Sequence, residues 1–513
     1  MSQISPCTPV IIGAAQFTER LTDVDYAGLS PVDITARAAL LALKDTQKNA
    51  LRDHIDMIMT ARTFEDSTPM LAFPHGRASN FPQAVASRLS LSPKRAVWSV
   101  SGGDSPQKMV AEACEAIAAG SQKAVLVCGG EAMSTAGALL KSGSRVDWSE
   151  ACGEPVEDRG DGIDYVDMEE LRHGLITPPL FHGMIENACR GCHGMTVDVW
   201  RARMAELFAP LSAKAAENPL SCQLGIAYTA SQLASIETDN RLIAHPYPQR
   251  LIARDKVNQS AAVCIVSTAL ANELGVSPER RIYLRGYAHG RERNLIERPD
   301  VGRARSAGLV LKNAMHNAGV TLADIDAFDF YSCFPVAVSN AIEAIDLSPN
   351  DPRGLTVTGG LPYFGGPGNN YSLHAIAEMA HILWRGATNG LVAANGGFLS
   401  KYAVGVYSSE PCEFEPCSSA EVDKAMAEER SPAYEHQPKG AGTIETYTVD
   451  YHRDGSAKTA IVMGRLNNSG ARFLAVSAPD DATTAQRIAN EEALGRRIQV
   501  IANDAANTFT LID

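Results

Sequence analysis

Residues 98–134 read WSVSGGDSPQKMVAEACEAIAAGSQKAVLVCGGEAMS. This is a buried strand, a tight loop, an alanine-rich helix, a second buried strand and a glycine turn, in that order. The loop carries most of the meaning. Gly102 and Gly103 give it backbone conformations closed to other residues. Pro106 suits the first helical turn, where a missing N–H costs nothing. A loop that delivers the chain to a helix N-terminus gathers unpaired amides and the positive end of a helix dipole, a natural seat for a developing oxyanion. Met109, Val110, Ala113 and Ile117, with small residues between them, make the helix apolar nearly all round and predict that it is buried.

The same order of elements recurs along the chain. A helix over 31–44 precedes a strand near 55–61, and a helix around 303–318 precedes a strand over 327–331. Each helix leads to its strand through an Ile-Asp pair, Ile55-Asp56 and Ile325-Asp326. The second strand ends in Tyr331-Ser332-Cys333-Phe334, and Pro335 opens the next helix as Pro106 opens the first. Repeated strand–helix units predict an α/β protein, a mostly parallel sheet with helices on its faces. From about 412 to 440 the chain is rich in Glu, Pro and Ser, as in a linker or a solvated surface element. Beyond it, short alternating runs predict strands over 444–451, 459–466, 473–477, 497–501 and 508–511, with a helix over 484–494. Together these read as a small β-barrel of OB-like type.

At 513 residues the chain exceeds one ordinary core, so two or three domains are expected. Its 45% apolar and 20% charged residues are those of a soluble globular protein. A net charge of −13, with no Lys/Arg block, argues against a nucleic-acid partner and leaves open a local basic pocket for a phosphorylated ligand. The N-terminus MSQISPCTPVIIGAAQ has neither a basic n-region nor a long apolar core, so no signal peptide is read. Apolar runs are too short or too broken to span a bilayer, and no membrane partner is expected. Eleven scattered cysteines without a secretion signal fit a reducing cytoplasm. Cys189, Cys192 and His193 spell the C-x-x-C-H haem-attachment pattern. Attachment needs an exported chain, and zinc would need a second ligand pair at suitable spacing. These are read as ordinary thiols, and no metal or tightly bound cofactor is expected.

The 98–134 stretch resembles thiolases. In that family the segment carries a nucleophilic cysteine in a Cys-x-Ser/Thr-Gly loop, then the same helix, then a strand ending Gly-Gly-x-Glu-x-Met-Ser. Gly129, Gly130, Met133 and Ser134 match that ending. The likeness covers roughly residues 5–410 and implies the thiolase fold, two similar halves packed as a five-layered α/β/α/β/α body. It implies that 1–134 and 251–275 form the N-terminal half and 276–411 the C-terminal half. Residues 135–250, richer in polar and irregular segments, then form a loop domain that covers the site and binds coenzyme A. There ENPLSCQ (217–223) and HPYPQR (245–250) are similar to segments of thiolase-like proteins. VNQSAAVCIVS (257–267) resembles the strand returning to the first half, with Gln259 and Ser260 in place of its usual Asp-Gly. Ordinary thiolases end before residues 412–513, the linker and extra β-rich domain. Thiolase-like proteins of type 1 have an added C-terminal domain, and the chain looks most like them.

A thiolase needs four chemical elements, and the resemblance assigns each a position. Counting back from Ile117 and Gly120 puts the nucleophile at Gly103, which cannot be acylated. Ser105 falls at the family's small hydroxyl position, as a helix cap or a reactive group. Tyr331 to Phe334 stand where thiolases have Asn-Glu-Ala-Phe and the sterol-carrier-protein type has His-Asp-Cys-Phe. Tyr331 then donates a hydrogen bond, accepts a proton if its pKa is lowered, or is simply a core aromatic. Gly365-Gly366-Pro367 takes the Gly-His-Pro place, so Gly366 replaces the histidine. Ala394 replaces the second cysteine by register on Gly396 and Gly397, with Asn395 and Lys401 as the remaining polar groups. Gly103, Tyr331, Gly366 and Ala394 are expected to converge on one cavity. For coenzyme A phosphates the nearest basic groups are Arg172 and His173, Arg190 and His193, and Arg201 and Arg203, with Lys401 a further ligand contact.

Three functions fit these residues. The first is an enzyme on coenzyme A thioesters that forms no covalent acyl intermediate. A thiolase-type oxyanion hole stabilises a thioester enolate, which is also what a retro-aldol cleavage expels. Steroid side-chain aldolases resemble thiolases and work with an OB-fold partner; here a barrel is fused in cis. The second is a non-catalytic acyl-CoA carrier, sensor or scaffold, and the third, by family label, an acetyl-CoA acetyltransferase. In each the partner is acyl-CoA and the chain is a monomer or homodimer. Incubation with acetyl-CoA is expected to leave no acetyl group on the protein by intact mass and no Claisen product. Ping-pong thiolysis would show the register taken from Ile117 and Gly120 to be wrong.

Overall fold

The computed structural model describes residues 4–67, 73–153, 155–479 and 481–512. Its first sheet runs in the order Pro9–Thr18, Asn258–Ser267, Ala124–Ala132, Met57–Thr60, Arg95–Trp98, Glu157–Asp158. The first three of these pair antiparallel and the rest parallel. The second sheet runs Ala327–Phe330, Asn389–Gly396, Lys401–Ser408, Tyr283–Arg291, with its first pair parallel. Near-continuous apolar strands are what a sheet covered on both faces requires. The alternation is hidden rather than absent. Val125 and Val127 pack towards one core with Val263 and Ile265, while Leu126 and Cys128 pack towards another with Cys264 and Val266.

The core shared by the two sheets contains the helices Ser105–Ala118 and Tyr371–Trp384, through Met109, Val110, Ile117, Leu373, Ile376 and Met379. Pro31–Asp45 and Phe81–Arg88 cover the outer face of the first sheet. Arg305–Ala318 and Pro335–Ala344 cover the second. These are the five α/β/α/β/α layers expected. The stretch 135–250, expected to be rich in irregular segments, also holds two long helices, Pro178–Cys192 and the 21-residue Val197–Glu217, as its main elements. Trp200, Met204, Phe208 and Leu211 recur at helical spacing and point inward, while the other face is polar, which is why composition alone made it look loop-like. Among the described residues no helix is long and apolar enough to cross a membrane.

The C-terminal strands close on themselves. Gly440–Tyr451, Ala457–Leu466, Arg472–Ser477, Thr508–Leu511 and Arg497–Ile501 follow one another round, and the last pairs back to the first. Tyr447, Val462, Phe473 and Phe509 fill this five-stranded barrel. Leu242–Ala244 and Tyr247–Pro248 extend its sheet from the helical region. The helix Pro178–Cys192 lies against the first barrel strand, where Thr446 Oγ1 donates to the Met184 carbonyl at 2.6 Å and Asn187 Nδ2 to the Tyr447 carbonyl at 2.9 Å. Arg472 is wholly buried at the opposite contact. Its guanidinium pairs with Glu445 at 2.6 Å and donates to the carbonyls of Ile296 at 2.9 Å and Arg298 at 2.5 Å.

Removing the Arg472 guanidinium leaves the carbonyls of Ile296 and Arg298 without that donor, while Glu445 keeps Arg465 at 3.1 Å. Arg472→Met is therefore expected to lower unfolding stability by about 2 kcal/mol and to open the 412–440 linker to trypsin. Urea melts and timed proteolysis measure both, and wild-type behaviour in the two assays would contradict the docking role.

Candidate functional site

The strand Arg95–Trp98 delivers the chain to the loop before Ser105–Ala118. Gly102 sits at φ +141°, a conformation that glycine permits, and its N–H donates to Asn369 Oδ1 at 3.0 Å. Asn369 in turn donates to the Arg62 carbonyl and to Ser67 Oγ, both at 2.8 Å. The Gly103 carbonyl accepts from Ser372 Oγ at 2.6 Å. The loops that open the two inner helices thus brace each other. Ser105 closes its own loop, donating from Oγ to the Val100 carbonyl at 2.7 Å, so its hydroxyl is held by backbone. Lys401 is buried beside it, with Nζ donating to the carbonyls of Gly162 at 2.8 Å and Ser101 at 3.3 Å. Burial pulls its ammonium below the usual lysine range.

Tyr331 follows the strand Ala327–Phe330, and its N–H donates to the Ala393 carbonyl at 2.9 Å. Its phenol ends over Gly103. A Cβ at position 103 would overlap the Tyr331 hydroxyl and ring carbon and lie 2.6 Å from the Asn395 carbonyl oxygen. Position 103 therefore accepts no side chain while Tyr331 stands there. Burial pushes the Tyr331 phenol far up, with Cys333 and Asp104 adding in the same direction, so it is neutral and acts as a donor. The alternative of a lowered pKa and a basic phenolate is not what this environment gives. Among the described residues its hydroxyl has no hydrogen-bond partner. Tyr371 packs edge-on against the ring, centroids 5.3 Å apart.

Gly103, Tyr331 and Asn395 thus meet directly, with Ala394 the preceding residue of the strand Asn389–Gly396. Gly366 joins them at one remove: its N–H donates to the Arg254 carbonyl at 2.8 Å, and the neighbouring Ala253 N–H donates to the Cys333 carbonyl at 2.9 Å. Four concavities open elsewhere on the described residues, and none of them is lined by Gly103, Tyr331, Gly366 or Ala394. A pair that sequence reasoning missed lies just beyond Tyr331. Cys333 Sγ is 3.8 Å from His182 Nε2 and 3.7 Å from Asn395 Oδ1. His182 Nδ1 is 2.8 Å from the Pro178 carbonyl, an N–H donation that leaves Nε2 as the acceptor facing the thiol. Burial raises Cys333 to about 12. Burial, with the charge of Arg298 acting the same way, lowers His182 to about 3. The two are neutral, a thiol–imidazole contact rather than an ion pair. The only signal in the sequence was a histidine on an apolar helix face, which reads as core.

The basic groups assigned to phosphates are largely turned elsewhere. Arg172 donates to the carbonyls of Asn503 at 2.7 Å and Ala505 at 3.1 Å and pairs with Glu169. His173 Nε2 accepts from the Asn507 N–H at 3.1 Å. Arg190 pairs with Glu492 at 2.7 Å and reaches the Tyr447 hydroxyl. All three grip the barrel: the two guanidiniums because cations desolvated by a docked domain need its carbonyls and carboxylates, and His173 as a neutral imidazole that accepts from it. Arg201 pairs with Asp198 at 3.0 Å, and Arg203 with Glu343 at 2.7 Å. His193 Nε2 is 3.4 Å from Glu343, and Cys189 and Cys192 are free thiols. Among the described residues no cluster of His, Cys, Asp or Glu is placed to hold a metal ion.

Residues 421–505, which include four of the five barrel strands, match the family model of the thiolase-like protein type 1 additional C-terminal domain. A Dictyostelium discoideum protein named as a probable acetyl-CoA acetyltransferase is 30% identical over 145 residues, which are 28% of this chain and 32% of that protein. Acetyl-CoA acetyltransferase from Syntrophomonas wolfei superposes with a TM-score of 0.57 at 16% identity, over 80% of this chain and 100% of that one. The Ltp2-ChsH2(DUF35) aldolase does so at 0.59 and 17%, over 79% and 98%. At such identities these two solved structures share the fold alone. A monomeric SCP2-thiolase-like protein type 1 from Mycobacterium smegmatis is similar throughout: 37% identical, TM-score 0.84, over 99% of this chain and 100% of that one. That end-to-end likeness, barrel included, makes this chain a member of the SCP2-thiolase-like protein type 1 family.

Proposed function

We propose that the protein works on acyl-CoA thioesters by enolate chemistry without a covalent acyl-enzyme, cleaving a carbon–carbon bond in the retro-aldol sense. The seat of Tyr331 carries this reading. Its neutral hydroxyl, free of protein partners, stands over Gly103 where a buried helix begins. A thioester oxygen placed there meets a phenol O–H and the positive end of a helix dipole as it gains charge. In the cleavage the bond between the α and β carbons breaks and its electron pair enters the enolate. The β-hydroxyl becomes a carbonyl and passes its proton to water, the enolate carbon takes a proton back from water to give the shortened thioester, and Tyr331 hydrogen-bonds to the enolate oxygen. By register Gly103, Gly366 and Ala394 stand in place of the thiols and imidazole of a thiolase. Acetyl-CoA in the name of one relative, and a fold shared with an aldolase, support the substrate class and the reaction.

For coenzyme A itself, Lys401, next to the Gly102 loop, and Arg201 and Arg203, which hold none of the barrel's carbonyls, are the proposed contacts. The barrel is read as an OB-like element that replaces a separate partner, and the chain as cytoplasmic and, like its Mycobacterium smegmatis relative, monomeric. A second reading, an acyl-CoA binder without turnover, is favoured by a different observation: none of the four concavities reaches Gly103 or Tyr331.

A mass-spectrometric screen of β-hydroxyacyl-CoA substrates tests the first reading. Tyr331→Phe is expected to reduce turnover by about a hundredfold or more while acyl-CoA affinity by calorimetry stays within a few-fold. Unchanged turnover would remove Tyr331 from the chemistry, and binding without turnover in the wild type would leave the binder. Gly103→Cys is expected to lower the melting temperature through its collision with Tyr331. Gly103→Cys with Tyr331→Gly is expected to stay less stable than the wild type, since the Asn395 carbonyl oxygen still lies 2.6 Å from the new Cβ and a core ring is lost, and to show no thiolysis, since Gly366 supplies no imidazole.

A further inference from the structure

We propose that the groove between the helices Arg305–Ala318 and Pro335–Ala344 is an oxyanion-binding site, with Arg298 and Asn340 as its inner donors and Lys312 at its rim. The groove encloses about 600 Å³, and these three residues are among its lining. Arg298 is 2% exposed. Nε donates to the Arg293 carbonyl at 2.9 Å, and Nη2 to the carbonyls of Phe398 at 2.9 Å and Leu399 at 3.0 Å. These satisfy hydrogen bonds but form no ion pair: among the described residues no carboxylate lies within 4 Å of the guanidinium, and the buried Glu170 acts on it only from farther off. Nη1 has no partner of any kind. A guanidinium does not shed its proton when buried, so an unpaired one calls for an anion.

Asn340, 6% exposed, repeats the pattern, for its Nδ2 is a buried donor without an acceptor. The acids of the groove are already engaged. Glu292 accepts from the N–H groups of Arg293 and Ser306, at 3.0 and 2.9 Å. Glu343 is paired with Arg203 at 2.7 Å, and Glu429 with Arg305 at 2.8 Å. Asp300 accepts from the Gly302 N–H at 2.9 Å and lies 3.7 Å from Arg303. Lys312 is exposed and makes no ion pair among the described residues. Two unused inner donors and one unused cation at the rim fit a ligand carrying a phosphate or a carboxylate, and the volume has room for an organic group behind it. Planar Arg298 and the amide of Asn340 suit either oxyanion. The site is distinct from the Gly103–Tyr331 centre and does not rest on the acyl-CoA reading.

Titration of the full-length protein at low ionic strength with inorganic phosphate and, separately, with acetate tests the site. One saturable event of unit stoichiometry is expected by calorimetry with at least one of them. Phosphate alone marks a phosphate ester as the ligand, acetate alone a carboxylate, and competition between them a shared oxyanion seat. Arg298→Met is expected to abolish binding, Asn340→Leu to weaken it several-fold and Lys312→Glu about tenfold, while Lys141→Glu, exposed on the helix Met133–Ser142, which lends no residue to the groove, leaves it unchanged. Should Arg298→Met fail to fold, Asn340→Leu and Lys312→Glu decide. Binding of neither probe to the wild type, or binding that these variants leave unaltered, overturns the proposal.

Discussion

Two helices held between the sheets bury most of their surface there, and this constraint organises the molecule. Ser105–Ala118 and Tyr371–Trp384 turn Met109, Val110, Ile117, Leu373, Ile376 and Met379 into the shared core, and only a narrow edge with Lys108, Glu112 and Glu378 is partly exposed. Their N-termini are then the places where unpaired amides lie deep inside the protein. Each is reached through a glycine-rich loop, and the two loops hold each other through Asn369 on Gly102 and Ser372 on Gly103. The site is the meeting of these loops with the end of the strand that carries Tyr331. Its position follows from burying the helices, before any catalytic side chain is considered.

At that meeting one side chain excludes another. Tyr331 fills the volume that a residue at 103 would need. The space is therefore filled from the opposite strand and not from the helix loop. Burial keeps the phenol protonated, so it offers an O–H there and no anionic oxygen. Cys333 and His182, behind it, keep a thiol and an imidazole in contact, but burial holds both uncharged.

Local pattern carried much of this in the sequence. The all-round apolar helix, its Gly-Gly entry and the opening prolines are short-range features, as are the alternating runs of the barrel, whose strands begin and end within a few residues of those expected. What escaped is long-range. Arg172, His173 and Arg190 looked like free cations because the barrel groups that hold them lie about three hundred positions later. His182 and Cys333 are 151 residues apart and meet only because a helix of the middle region packs over the second sheet. That region's helices went unread because an amphipathic helix with a polar outer face has the composition of a loop.

Arg472 and Glu445 hold the barrel on the same chain as the sheets it rests against. The contact is thus a ring closure through the 412–440 segment rather than an encounter between molecules. Closing such a loop depends only logarithmically on its length, and the tether supplies an effective concentration of order millimolar. Dilution, which separates a two-chain assembly, leaves this one intact. The docked fraction is fixed by a unimolecular equilibrium, identical in a crowded cell and in a cuvette at nanomolar protein, and the stoichiometry of barrel to site is one at every level of expression.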